Sequence, residues 1–144
     1  MGTYFEVGVR YQKHEEDGTK KNVTELYLVE AMSFTESEAR ITEEMKPYIG
    51  GDYRVVKEKI TNISEVITSL DINADKYYKV KHSIITIDEG TGKEKKALQY
   101  LLFQASSNDD ARNRYNIYMK GLTFDVELEA ISDTKLLDYF PYKH

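Results

Sequence analysis

The chain has 144 residues, 40% of them apolar and 31% charged, enough for a globular domain with a core and too ordered in composition for a disordered chain. A net charge of -5 excludes a polycation for duplex DNA, and the lack of cysteine excludes a disulfide framework, a thiolate metal site and a cysteine nucleophile. No apolar run approaches the roughly 18–20 residues of a membrane span, and no leader or myristoylation motif opens the chain, so a cytoplasmic protein with no membrane partner is expected.

The first predicted strand carries Phe5, Val7, Val9 and Tyr11 on one face and Tyr4, Glu6, Gly8 and Arg10 on the other. A polar turn at 15–21 leads to an apolar run, Leu26 to Ala31. Thr35 with Glu38 three residues on reads as a capping box for a helix over 36–46, closed by Pro47 and Gly50-Gly51. Residues 60–76 hold Ile63, Val66, Ile67, Leu70 and Ile72, which predicts a packed connection. The order then recurs. Tyr77-Tyr78-Lys79-Val80 opens a strand whose adjacent Ile84 and Ile85 suggest a bulge. Asp88 to Lys96 forms a turn, Tyr100 to Ala105 a second strand, and a cap at Ser107 or Asn108 starts a helix over 109–119. Phe124, Val126, Leu128 and Ala130 alternate with Thr123, Asp125, Glu127 and Glu129 in a half-buried strand with an acidic outer face. The apolar end, Leu136 to Tyr142, is expected to dock on the domain.

This repetition predicts an α+β fold: a tandem ββαβ duplication of about 3–72 and 76–142, within a single domain of residues 1–144. About six largely antiparallel strands should carry two packed helices. The expected core is Val7, Val9, Leu28, Ile41, Met45, Val80, Leu101, Phe103, Tyr115, Val126 and Leu128. Short sheets leave edges that a homodimer would cover.

Catalytic signals are sparse. The three histidines, His14, His82 and His144, show no metal spacing, and His82 reads as a hydrogen-bonded strand residue before a catalytic one. Gly90-Thr91-Gly92-Lys93 lacks the Lys-Ser/Thr and following helix of a phosphate loop and reads as a hairpin turn. No catalytic residue, metal site or cofactor is expected, so the chain is read as a binding module and not an enzyme.

Charge is uneven: residues 1–75 hold 9 basic and 15 acidic side chains, residues 76–144 hold 11 and 10. Tyr77, Lys79 and Lys81 share a strand face, and Lys93, Lys95 and Lys96 lie on the next turn. Lysines beside aromatics are the composition used to track and stack single-stranded nucleic acid, though a solvated lysine face has the same pattern. The acidic row Asp125, Glu127 and Glu129 reads first as a solvated face. Its sharper readings are a divalent cation or acid–base site, or a mimic of a nucleic-acid backbone. That row, or the C-terminal aromatics Tyr139, Phe140 and Tyr142, is the alternative surface, for a host protein.

Several stretches together carry a resemblance: Tyr4 to Tyr11, Val23 to Arg40, the turn Thr91 to Lys96, and Asp138-Tyr139-Phe140-Pro141-Tyr142. The chain resembles an uncharacterised domain-of-unknown-function family of small proteins from gut bacteria and their phages and mobile elements. That likeness implies a stand-alone, phage-encoded protein; it brings no catalytic residue.

Overall fold

The computed structural model describes residues 2–143; His144 lies outside the described residues. The described chain folds into two four-stranded mixed sheets with one helix each, and divides into two compact units, residues 2–61 with 135–143, and residues 62–134. Among the described residues eight strands are present, where about six were expected. Among the described residues, no helix is long and apolar enough to cross a membrane.

In the first unit, β1 (Thr3–His14) and β2 (Lys20–Ala31) form a long antiparallel hairpin. Its turn closes on Glu15 and Thr19, with Gly18 at a φ of 86°, a value that favours glycine. The helix α1 (Phe34–Met45) follows, and β3 (Tyr53–Ile60) returns antiparallel to β1. The period-two pattern buries Phe5, Val7 and Val9 with Tyr27, Val29 and Ala31 against Ile41 and Met45 of α1. The helix starts two residues earlier than the capping box at Thr35 predicted: the Ser33 hydroxyl accepts the Glu36 amide. Ser33 and Glu36 satisfy the same spacing, and this choice seats the Phe34 ring edge-on to Phe5 at 5.0 Å. It also buries Ser37, whose hydroxyl bonds the Phe34 carbonyl and Glu58 of β3.

The second unit has the same layout. The hairpin β5 (Lys76–Ile87) and β6 (Glu94–Ala105) turns through Gly92 at a φ of 70°. The helix α2 (Asn108–Met119) is capped by Ser107, and β7 (Asp125–Asp133) pairs antiparallel with β5. Val80, Leu101, Phe103 and Tyr115 form its core. Val126 and Leu128 are only half-buried, because β7 is an edge strand with one neighbour. The register shifts beside Glu129, so the inward position moves from the expected Ala130, which is exposed, to Ile131.

The two additional strands are short and parallel to their neighbours. β4 (Ile63–Ile67) lies on β6, and β8 (Leu136–Phe140) lies on β2. Each sheet is therefore completed by a strand from the other half of the sequence. The expected packed connection holds for Ile63, buried, and for Val66 and Ile67, half-buried. It fails for Leu70 and Ile72, which are 105% and 93% exposed: β4 stops at Ile67, and Arg114 holds the loop outward through Ser69 and Asp71. The expected docking of the C-terminal stretch is seen, with Leu136 buried and the Phe140 ring stacked on Tyr27 at 5.6 Å.

Candidate nucleic-acid interface

The basic residues singled out by sequence lie on and beyond β5 and β6. Tyr77, Lys79 and Lys81 occupy the face of β5 away from α2, as the alternation requires, and the Lys79 ammonium sits 4.7 Å from the centre of the Tyr100 ring. Tyr77 is 5% exposed, so its ring offers no platform for a base. Three of the lysines face carboxylates: Lys81 with Glu129 at 3.9 Å, Lys95 with Asp88 at 3.5 Å, and Lys96 with Glu127 at 2.8 Å. The Lys96 ammonium is held above the usual lysine range by its hydrogen bond to Glu127. Lys93 is exposed on the turn.

The acidic row meets that patch on the same sheet. Glu127 and Glu129 are the partners of Lys96 and Lys81, and Glu129 also accepts the Ser83 hydroxyl, while Asp125 opposes Ile85. The two rival surfaces read from sequence thus share residues that compensate each other. Of the C-terminal aromatics, Tyr139 and Phe140 are half-buried in β8, and Tyr139 donates to Glu30. Burial, with the Glu30 charge beside it, pushes the Tyr139 phenol far up. The Tyr142 amide donates to the same carboxylate.

His82 is a core residue, 1% exposed, with Nδ1 2.8 Å from the Tyr115 hydroxyl and Nε2 2.6 Å from the Gln99 side-chain oxygen. With the Gln99 oxygen opposite Nε2, the tautomer that satisfies both contacts carries its proton on Nε2 and accepts from Tyr115 at Nδ1. Glu25 accepts from both Tyr11 and Tyr27 at 2.8 and 3.1 Å. Burial first, then that carboxylate, pushes the Tyr11 phenol up to about 12. Among the described residues, no three His, Asp or Glu side chains gather as a metal site.

A second basic region, at the far end of the β1–β2 hairpin, was missed by the sequence reading. Lys13 pairs across the strands with Lys21, His14 with Lys20, and Arg10 with Arg54 of β3. Like charges directly opposite destabilise a sheet by about 0.2–1 kcal/mol each. Among the described residues, Arg10, Lys13, Lys20, Lys21 and Arg54 are in no ion pair. Part of the signal was legible: a turn centred on Asp17 sets Lys13 against Lys21 and His14 against Lys20. It was hidden by the acidic total of the first half. The same end of the unit holds a cleft of about 740 Å³ between the hairpin and the segment after α1. Tyr48, 77% exposed, stands at its rim.

No curated protein and no solved structure matches this chain. An uncharacterised domain family was expected from the sequence, and a family model spans residues 3–142, almost the whole of both units; the chain accordingly belongs to the family described as a domain of unknown function, DUF4494.

Proposed function

We propose that this protein is a non-enzymatic binding module for single-stranded nucleic acid, with its main contact surface at the far end of β1, β2 and β3. The observation that carries this reading is a pair of like-charge cross-strand contacts, Arg10–Arg54 on one face of the sheet end and Lys13–Lys21 on the other, with Lys20 beside the first. Each is unfavourable in the free sheet and becomes favourable when a phosphate backbone lies across it. The patch of Lys79, Lys81, Lys93, Lys95 and Lys96 is a secondary contact, since phosphates there must displace Asp88, Glu127 and Glu129. A host protein bound through the acidic row is less favoured for the same reason. Such a role suits the phage or mobile-element setting that the resemblance implies.

We also infer that the chain is a tandem duplication of one ββαββ unit whose last strands are exchanged. In support, the caps Ser33 and Ser107 and the parallel strands β8 and β4 take equivalent places. The hydroxyls of Thr61 and Thr134 bond the carbonyls of Tyr4 and Tyr77, at equivalent strand positions and the same separation of 57 residues.

The test is a fluorescence-anisotropy titration of a labelled ten-nucleotide single strand at 50 and 200 mM salt. Three phosphate contacts predict an affinity loss of about 20-fold between the two salts. Charge reversal at Arg10 and Arg54 should weaken binding more than reversal at Lys79, Lys81 and Lys95. Absence of binding at micromolar protein, with capture of a host protein from nuclease-treated lysate, refutes the nucleic-acid reading in favour of the acidic and aromatic surface.

A further inference from the structure

The cleft beside the basic hairpin end has the size of a small-molecule site, about 740 Å³, and its lining combines three kinds of group. Lys13, His14 and Lys20 supply cationic or donor side chains. Tyr48 supplies an exposed ring on backbone fixed at the end of α1, since the Tyr48 and Ile49 amides both bond the Met45 carbonyl. Gly50 and Gly51 supply bare backbone. Neither glycine has a positive φ, and a Cβ added at either would meet nothing within 4 Å, so the fold itself does not demand glycine at these positions. Bare backbone is what a ligand's close approach demands.

The second unit shows that the fold does not demand the cations either. By strand register, the places of Arg10 and Arg54 are taken there by Ser83 and Glu127, which oppose each other in the same way. The place of the His14–Lys20 pair is taken by Ile87 and Glu94, and that of Lys13–Lys21 by Thr86 and Lys95. The same architecture stands with one cation, Lys95, among these six places, so the cationic set of the first unit answers to something other than folding.

We propose that this cleft binds a single nucleotide, its base laid on the Tyr48 ring and its phosphate held by Lys20 and His14, which face each other across the two strands. Asp52, the carboxylate of the lining, is left as an acceptor for a sugar hydroxyl or an exocyclic amino group. The inference rests on the nucleic-acid reading and sharpens it: the site takes one unstacked nucleotide, either free or at the end of a strand, while the charged pairs follow the backbone.

The experiment uses the full chain and four probes: AMP, adenosine, inorganic phosphate, and a ten-residue adenylate RNA with or without a 5′-phosphate. Calorimetry should show AMP binding, with adenosine and phosphate each at least about tenfold weaker, because neither fills both parts of the site. Tyr48→Ala, at a residue 77% exposed and therefore safe for folding, should weaken AMP by about 5- to 150-fold. Lys20→Glu should weaken AMP and phosphate alike and leave adenosine unchanged. If the phosphorylated RNA displaces AMP better than the unphosphorylated one, the occupant is a strand end; equal displacement with AMP still bound points to a free nucleotide. AMP binding that Tyr48→Ala leaves unchanged overturns the proposal. So does RNA binding with normal salt dependence and no AMP binding, an outcome that leaves the broader reading standing. Failure of every probe refutes both.

Discussion

Replacing Arg54 by glutamate should make this protein more stable and a poorer binder at once. Arg54 lies directly opposite Arg10, and both side chains are exposed. Two guanidinium groups at that spacing repel, and an Arg–Glu pair attracts; each effect is about 0.2–1 kcal/mol across a sheet, so the reversal is worth about 0.5–1 kcal/mol at exposed positions. For a chain of this size that is roughly 2–4 °C in Tm. The assay is thermal unfolding at 20 and 500 mM salt, beside oligonucleotide anisotropy on the same samples. The gain should shrink at high salt, where the Debye length is short. Arg54→Gln should show about half the gain, and Arg10→Glu with Arg54→Glu should lose it by restoring like charges. Binding should fall several-fold in Arg54→Glu at low salt. Loss of stability at 20 mM salt, or binding equal to the wild type, would refute the argument that these cations are held in mutual repulsion for a ligand.

Tyr115→Phe leaves the buried His82 Nδ1 without its donor and should cost about 1–3 kcal/mol in urea unfolding; His82→Leu in the same chain should recover part of that, since no orphaned nitrogen remains. Ser33→Ala and Ser107→Ala should each cost about 0.5–2 kcal/mol and lower helix content by circular dichroism, because each removes the acceptor for a first-turn amide. In a tyrosinate absorbance titration, Tyr11 and Tyr118 should ionise only near pH 12, Tyr11 chiefly through burial and Tyr118 chiefly through its bond to Glu65. Both folded pKa values lie above the ordinary tyrosine value of 10.0, so the folded state holds protons that the unfolded state has lost. Stability should accordingly be full below pH 10 and fall from about 10 to 12. Glu65→Gln should bring the Tyr118 midpoint down.

What the sequence disclosed followed from local periodicity. Phe5, Val7 and Val9 alternate, the turns at Gly18 and Gly92 fix two hairpins, and both helices have a serine cap within two residues of the expected start. The strands β4 and β8 were not read as strands: five residues are too few to display a period, and their partners β6 and β2 lie far off in sequence, so no turn announces the pairing. The exposure of Leu70 and Ile72 depends on the same pairing, because where β4 ends decides which way the loop leaves. The candidate site divides along this line. Lys13–Lys21 and His14–Lys20 follow from the turn alone, whereas Arg10–Arg54 requires knowing that β3 returns beside β1. The lysines chosen from sequence were judged by their clustering, and their compensation by Glu127 and Glu129 comes from a strand more than thirty residues away.

The parallel strand β8 also sets an order of events during synthesis. Glu30 at the end of β2 and its partner Tyr139 in β8 are 109 residues apart, and at about 5–20 residues per second the ribosome needs roughly 5–20 s to cover that distance. For that interval β2 has no neighbour on its outer side, and Tyr27 lacks the Phe140 ring that covers it in the finished fold. The apolar run Tyr27-Leu28-Val29 is then an open strand edge in a crowded cell, the kind of template that recruits other chains. The nascent protein is thus most vulnerable to misassembly after its first hairpin has formed, and it leaves that state only when the last strand arrives.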